Sequence, residues 1–298
     1  MDKAKYQTAL ITGVSGEIGF ALASYLVKKT KIKSLFVTAR SCIKDLDLKA
    51  LCDEYNVTLH IEHFDIRDDE TLNNFIKKAL NDSGQTIVIA NAGVSLAKDD
   101  DSFLENLFEI NRAFDINTKA SIKTLYFALQ AFLDKTNSNK ETSLSKDSYR
   151  LLDRKDKLTL VSISSLASTL ALRSSPLYSA SKVAINYYVN ALRESLPEDI
   201  KDKVQISLVL PGFVKSNMSD RYIGSKVSII SATKAANIII NGCLKGKKTI
   251  VFPFYLYVLI HIGKLLPSFI LKIFLKGFDF KVIADKDSST NQDKKGDK

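Results

Sequence analysis

Short apolar runs alternate with helix-length amphipathic stretches along most of the chain, and this alternation restricts the fold more than any other feature. Thr8-Ala9-Leu10-Ile11 leads into a glycine-rich turn and an amphipathic stretch reaching Lys29. Leu35–Thr38 is followed by a helical pattern from Lys44 to Tyr55, Val57–Ile61 by one from Asp68 to Asn81, and Thr86–Ala90 by a long helical pair from Phe103 to Leu133. The stretch from Asp134 to Arg150 is too polar to pack and reads as a surface insertion. The pattern resumes with strand Leu158–Ile163 and a helix from Pro176 to Leu196, whose proline suits a first turn. Strand Val204–Leu210, a helix from Ile229 to Cys243 and strand Thr249–Phe252 complete it. Strands spaced by helices of this length form right-handed βαβ units and a parallel sheet. Strands buried on both faces read as continuous apolar runs, as these do. The expectation is an α/β, doubly wound parallel sheet of about seven strands over residues 1–253.

The first strand runs into Thr12-Gly13-Val14-Ser15-Gly16-Glu17-Ile18-Gly19 and then into a helix, the setting of a dinucleotide-binding turn in a Rossmann fold. Gly13 would permit the tight turn, Gly16 close backbone approach to a pyrophosphate, and Gly19 close helix–sheet packing. The helix N-terminus would offer N–H groups and the positive end of its dipole to phosphates, with Ser15 and Ile18 beside them. About 20 residues on, where NAD-binding chains carry an acid for the ribose 2′-hydroxyl, the sequence reads Thr38-Ala39-Arg40-Ser41. No carboxylate is there to repel a 2′-phosphate. Arg40 can pair with one and Ser41 can donate to it, which favours NADP(H). The bland alternative, that Arg40 is a solvated strand-end residue, stays open at this point.

Tyr178 and Lys182 lie four apart at the start of a predicted helix and therefore on one face. A tyrosine with an ordinary pKa near 10 is a poor acid or base at neutral pH, and a nearby ammonium lowers that value. Taken alone the pair is weak, because tyrosine and lysine are common on helix surfaces. Its company gives it weight. TGVSGEIG, Asp65 after the third strand, Asn91-Ala92-Gly93 after the fourth, Asn117, Ser165 thirteen residues before Tyr178, and Pro211-Gly212-Phe213-Val214 occur in one order.

In these stations, over residues 6 to about 252, the chain resembles the short-chain dehydrogenase/reductase family. The resemblance implies a carbonyl–hydroxyl oxidoreductase in which Tyr178 is the general acid or base. Lys182 would lower its pKa and hold the nicotinamide ribose, and Ser165 would bond the substrate oxygen. Asn117 would hold a water linking Lys182 to solvent. Asp65 and Ile66 would bind adenine, while Asn91, Ala92 and Gly93 would line the cofactor wall. Pro211, Gly212, Val214 and Ser216 would sit against the nicotinamide. The resemblance also implies a homo-dimer or tetramer and a small-molecule carbonyl or alcohol substrate. One position departs. The family's shorter branch carries glycine where this chain has Glu17, and the TGxxGxxG spacing resembles the extended branch of nucleotide-sugar epimerases and dehydratases. Two alternatives follow: an enzyme of that second kind, or a non-catalytic NADP-binding protein.

Residues Pro253–Lys276 are strongly apolar with interleaved lysines, and Lys264 and Pro267 break them into pieces too short to span a bilayer. The expectation is an apolar helical segment over residues 254–284, lying on an anionic membrane surface, covering the cleft or forming a dimer contact. A polar, disordered tail is expected over 285–298. The net charge of +10 invites nucleic acid as a partner, but the lysines are spread out and no recognition element appears. The three cysteines form no CxxC pair, and His60, His63 and His261 show no metal-ligand spacing, so neither a disulfide framework nor a metal site is expected. With no apolar signal segment at the start, the chain is expected to be cytoplasmic rather than secreted, and peripheral at most on the inner face of a membrane.

Overall fold

The computed structural model describes residues 6–81, 84–95, 105, 107–135, 155–172, 174–220, 222–224, 228–265 and 280–282. The polar insertion, the start of the Phe103 helix, the second apolar piece of the C-terminal segment and the tail fall largely outside them. The elements, in chain order, are β1 (Thr8–Thr12), α1 (Glu17–Lys29), β2 (Ser34–Ala39), α2 (Asp45–Glu54), β3 (Thr58–His63), α3 (Asp69–Leu80) and β4 (Gln85–Ala90). Then come α4 (Leu107–Arg112), a π-helical run (Ala113–Lys119), α5 (Ala120–Asp134), β5 (Lys157–Ile163), a 3-10 turn (Leu166–Thr169) and α6 (Pro176–Ser195). The remainder is β6 (Val204–Pro211), α7 (Asn217–Asp220), β7 (Tyr222–Gly224), α8 (Ala232–Leu244), β8 (Thr249–Phe252), α9 (Phe254–Gly263) and β9 (Phe280–Val282).

Seven strands form one sheet in the order β3-β2-β1-β4-β5-β6-β8, every neighbouring pair parallel. Chain direction across the sheet reverses between β1 and β4, and in open α/β sheets ligands bind outside the carboxyl ends of the strands at such a switch point. Two apolar clusters cover the two faces. One gathers α3, α5 and α6 side chains such as Phe75, Phe132 and Ile185, and the other gathers α1, α2 and α8 side chains such as Leu22, Leu48 and Ile239. The doubly wound, Rossmann-like architecture expected from the alternation is therefore the one observed.

Three details differ from the sequence reading. The expected helical pair is one run through α4, the π-helical segment and α5, in which Ala120 N–H donates to the Asp115 carbonyl, five residues back. The strand expected at Val57–Ile61 is Thr58–His63, so His60 and His63 lie within it. Three apart in a strand, they face opposite sides. His60 stacks on Phe36 with ring centroids 4.1 Å apart, and His63 pairs with Asp45 at 2.7 Å. No cluster of metal-ligating residues occurs among the described residues. Finally, Phe280–Val282 is a strand, although the sequence reading carried a helical segment to 284. It pairs antiparallel with β7, beside the cleft. No helix among the described residues is long and apolar enough to cross a membrane.

Candidate active site

A cleft of about 460 Å³ opens at the carboxyl ends of the strands. Every site residue singled out from the sequence lines it except Asn117. At one end lies the glycine-rich turn. Gly13 has φ +74, and a Cβ there would come within 2.8 Å of the Ala92 Cα, so both conformation and space require glycine. At Gly19 a Cβ would lie 2.4 Å from the Gly13 carbonyl oxygen. Gly16 is different. It is the N-cap of α1, and a Cβ there meets nothing closer than the Gly13 oxygen at 3.7 Å. The fold itself therefore does not require glycine at 16, and the position borders open cleft beside Ser15 and Ile18. Glu17, the first residue of α1, also lines the cleft.

Thr12, which the sequence reading left out of the site, holds this turn to the next strand. Its hydroxyl accepts the N–H groups of Asn91 at 3.0 Å and Ala92 at 3.1 Å. In return Asn91 Nδ2 donates to the carbonyls of Thr12 at 3.0 Å and Gly13 at 3.1 Å. The β1 and β4 ends thus form one hydrogen-bonded floor. Along the rim, Arg40 is exposed at the end of β2, next to the partly buried Ser41. Asp65 is gripped by Arg67 through two side-chain contacts, at 2.9 and 2.5 Å, and through the Arg67 backbone N–H at 2.9 Å. The hydrogen bond from Arg67 is the main reason the Asp65 carboxyl is held below the usual range, with Arg40 adding to it. Ile66 beside it is buried.

The centre of the cleft is built by β5 and α6. Ser165 follows β5, and its hydroxyl caps the 3-10 turn by accepting Ala167 N–H at 3.1 Å. Pro176 fixes the start of α6, and two residues on, Tyr178 faces the cleft. Burial pushes the Tyr178 phenol above its ordinary value, and a hydrogen bond with Ser165 offsets this in part. Lys182 is 4% exposed and donates from Nζ to the Ile163 carbonyl at 3.0 Å. Its Nζ lies 5.9 Å from the Tyr178 ring centroid. Burial lowers the Lys182 pKa from 10.5 to about 8. Burial is the leading cause of both shifts, and two neighbouring groups displaced from their ordinary values in a cleft mark a candidate proton-handling site.

Asn117 lies behind this centre, fully buried in the π-helical run. Its Oδ1 accepts Val94 N–H at 2.8 Å, and its Nδ2 donates to the Val94 carbonyl at 3.1 Å and to Ser181 Oγ at 3.2 Å. Its side chain therefore ties the wall that follows Gly93 to the helix carrying Lys182. At the far end, Gly212 N–H donates to the Phe252 carbonyl at 2.7 Å, Val214 bridges to Ile230, and Ser216 Oγ donates to the Val214 carbonyl at 3.2 Å. Beyond them the wall is apolar: Leu170, Leu172, Phe213, Met218 and Tyr222 line it. From the C-terminal segment, α9 adds buried Leu256 and Ile260 to the same wall.

The model of the short chain dehydrogenase family matches residues 7–226, a span that includes the glycine-rich turn, Ser165, Tyr178 and Lys182. An uncharacterized oxidoreductase of Myxococcus xanthus is 26% identical over 273 residues, covering 90% of this chain and 96% of the relative. A short-chain dehydrogenase from Sphingobium yanoikuyae, solved in complex with NADPH, superposes with a TM-score of 0.65 at 18% identity, over 83% of this chain and 87% of that one. A family structure from Burkholderia phymatum, in complex with NAD, gives 0.66 at 16% identity over 89% and 95%. At these identities the two structures speak to the fold alone. The family model and the site geometry together lead to one statement: this chain is an oxidoreductase that belongs to the short-chain dehydrogenase family.

Proposed function

We propose that this chain interconverts a carbonyl and a hydroxyl on an apolar substrate, using NADP(H). The observation that carries the reading is a single cleft that joins a glycine-rich turn at one end, the Ser165, Tyr178 and Lys182 group at the centre and an apolar wall at the other end. The open position at Gly16, at the N-terminus of α1, fits a bound pyrophosphate, because backbone N–H groups and the helix dipole favour an anion there. When bound, the nicotinamide supplies the hydride. In reduction, Ser165 holds the substrate oxygen and Tyr178 delivers the proton to it as negative charge develops; in oxidation Tyr178 takes the proton back. The Lys182 ammonium stabilises the phenolate that proton transfer leaves behind. Asn91, Ala92 and Gly93 line the cofactor wall, with Asn117 bracing it. Asp65 and Ile66 border the adenine, and Pro211, Gly212, Val214 and Ser216 border the nicotinamide.

NADP(H) is favoured because the β2 end presents Arg40 and Ser41 and no carboxylate. The Sphingobium structure contains NADPH and the Burkholderia one NAD, so the preference rests on this chain's own residues. The apolar substrate class rests on the wall formed by Leu170, Leu172, Phe213, Met218, Leu256 and Ile260. While α9 turns Leu256 and Ile260 inward, it exposes Phe254, Tyr255, Leu259 and Ile262, with Lys264 at its end. That outer face suits an anionic membrane surface from which an apolar substrate could reach the cleft. NADPH oxidation by purified protein over a panel of apolar aldehydes and ketones, with Tyr178→Phe as control, tests the reading. Turnover is expected and the variant should lose it at least about 100-fold. Equal rates from the two proteins would refute the assignment.

A further inference from the structure

A helix start ordinarily leaves its first backbone N–H groups without intrahelical partners, and a serine at the N-cap commonly accepts one of them. Helix α6 has that serine, Ser175, but does not use it. Ser175 makes no capping bond, and its hydroxyl is buried with no hydrogen-bond partner. Instead Glu105, 72 residues away in sequence, supplies the cap: both carboxylate oxygens accept the Leu177 N–H, at 3.1 and 3.2 Å. Leu177 is the second residue of α6 and Tyr178 the third. A carboxylate is a stronger acceptor than a hydroxyl and is favoured by the helix dipole at this end.

The location gives this bond a consequence. Glu105 lies on the connection that leaves β4 through Asn91, Ala92 and Gly93 and goes on to the π-helical run carrying Asn117. The cap therefore ties Glu105, on this connection, to the first turn of the helix from which Tyr178 projects. Ser165 stands on a different element, the end of β5, so the Tyr178–Ser165 geometry depends on where that first turn is held.

We propose that Glu105 is a positioning residue: by capping α6 from outside the helix it fixes the first turn that carries Tyr178 and thereby sets the phenol against Ser165. The proposal rests on the reading of Tyr178 as the proton donor for its effect on rate, but not for its effect on local structure. Glu105 does not line the cleft, so no substrate or cofactor contact is assigned to it.

Glu105→Ala and Glu105→Gln, made in the full chain, separate the possibilities. Glutamine keeps an oxygen acceptor without the charge, so it should behave much as the natural residue does. Amide hydrogen exchange in the full chain reads the cap directly. In Glu105→Ala, the peptide covering the first turn of α6 should exchange at least about 10-fold faster, while peptides from α3 keep their natural rate. In Glu105→Gln both should be unchanged. With an active carbonyl substrate from the panel above, Glu105→Ala should lose about 10-fold in kcat or more, with the NADPH dissociation constant, read by fluorescence, within about 2-fold. Glu105→Gln should restore kcat. Unchanged exchange at the α6 start in Glu105→Ala would overturn the proposal whether or not a substrate is found. So would faster exchange in α3 and α6 alike, which marks Glu105 as a general stability residue, or faster exchange confined to α6 with kcat unaltered. If the wild-type chain turns over no carbonyl, the functional reading fails, while the exchange result still decides whether Glu105 holds the helix.

Discussion

Replacing Lys182 by methionine should change how stability depends on pH more than it changes stability at pH 7. Lys182 is almost fully buried and its pKa is lowered from 10.5 to about 8. The unfolded chain therefore holds this proton more tightly than the folded one. Below pH 8 both states are protonated and the folded state carries the full cost of the buried ammonium, about 3 kcal/mol for that difference in pKa. Between pH 8 and 10.5 the unfolded state binds more protons than the folded state, so stability rises with pH across that window. From pH 7 to 9.5 the gain is about 2 kcal/mol. Lys182→Met removes this dependence. It also strips the Ile163 carbonyl of the donor at 3.0 Å, which costs about 1–3 kcal/mol at every pH. At pH 7 the two effects roughly cancel. By pH 9.5 the variant should be the less stable protein, by an amount about 2 kcal/mol more unfavourable than at pH 7. Urea unfolding of both cofactor-free proteins at pH 7, 8, 9 and 9.5 measures the difference. The raised pKa of Tyr178 acts with the opposite sign, but only as pH rises past the ordinary tyrosine value, so the series stops short of it. A stability difference that stays constant from pH 7 to 9.5 would refute the argument that Lys182 is held against its preferred protonation state.

Four further variants probe the glycine-rich end of the cleft and the outer face of α9. Arg40→Ala should weaken NADPH binding about 10- to 100-fold, the worth of a charge-assisted hydrogen bond, and leave NADH nearly unchanged; fluorescence titration with both cofactors checks it, and equal loss for both would sink the 2′-phosphate role. Gly13→Ala should destabilise the fold by about 2 kcal/mol or more, because φ is +74 and the new Cβ meets Ala92, as a urea series would read. Gly16→Ala should unfold at nearly the natural urea concentration yet bind NADPH about 10-fold more weakly, since only a ligand needs that space. Combining Phe254→Asp, Leu259→Asp and Ile262→Asp on the outer face of α9 should reduce co-sedimentation with phosphatidylglycerol vesicles about 10-fold or more; failure of the wild-type chain to sediment with them would remove the membrane reading.

These variants fall on two sides of a line that also divides what the residues reveal in sequence from what they do not. Local chemistry was readable. Strands buried on both faces had to be continuous apolar runs, so the seven-strand parallel sheet followed from the alternation. Gly13 and Gly19 were found because a tight turn and a close helix approach demand glycine wherever they occur. Tyr178 and Lys182 were found because helical spacing puts them on one face and because Asn117, Ser165 and the glycine-rich turn accompany them in the family's order.

What escaped the sequence acts between distant positions. Thr12 was in view as a neighbour of Gly13, but its hydroxyl matters only because β4 lies beside β1 and presents the Asn91 and Ala92 N–H groups to it. Phe280–Val282 becomes a strand only because Tyr222–Gly224 offers it an edge. Glu105 carried no local signal at all, since a serine already stood at the N-cap of α6 and satisfied the sequence rule for a helix start. A cap is defined by which acceptor reaches the amide, and here a carboxylate arriving from another element takes the place of a hydroxyl next door. Asn117 likewise shows its partners only in the assembled fold, where its side chain bonds Val94 and Ser181 behind the cleft wall. In this fold the chemistry is supplied by residues that short-range patterns identify, and its geometry is set by contacts between β1 and β4 and between Glu105 and α6 that only the assembled sheet creates.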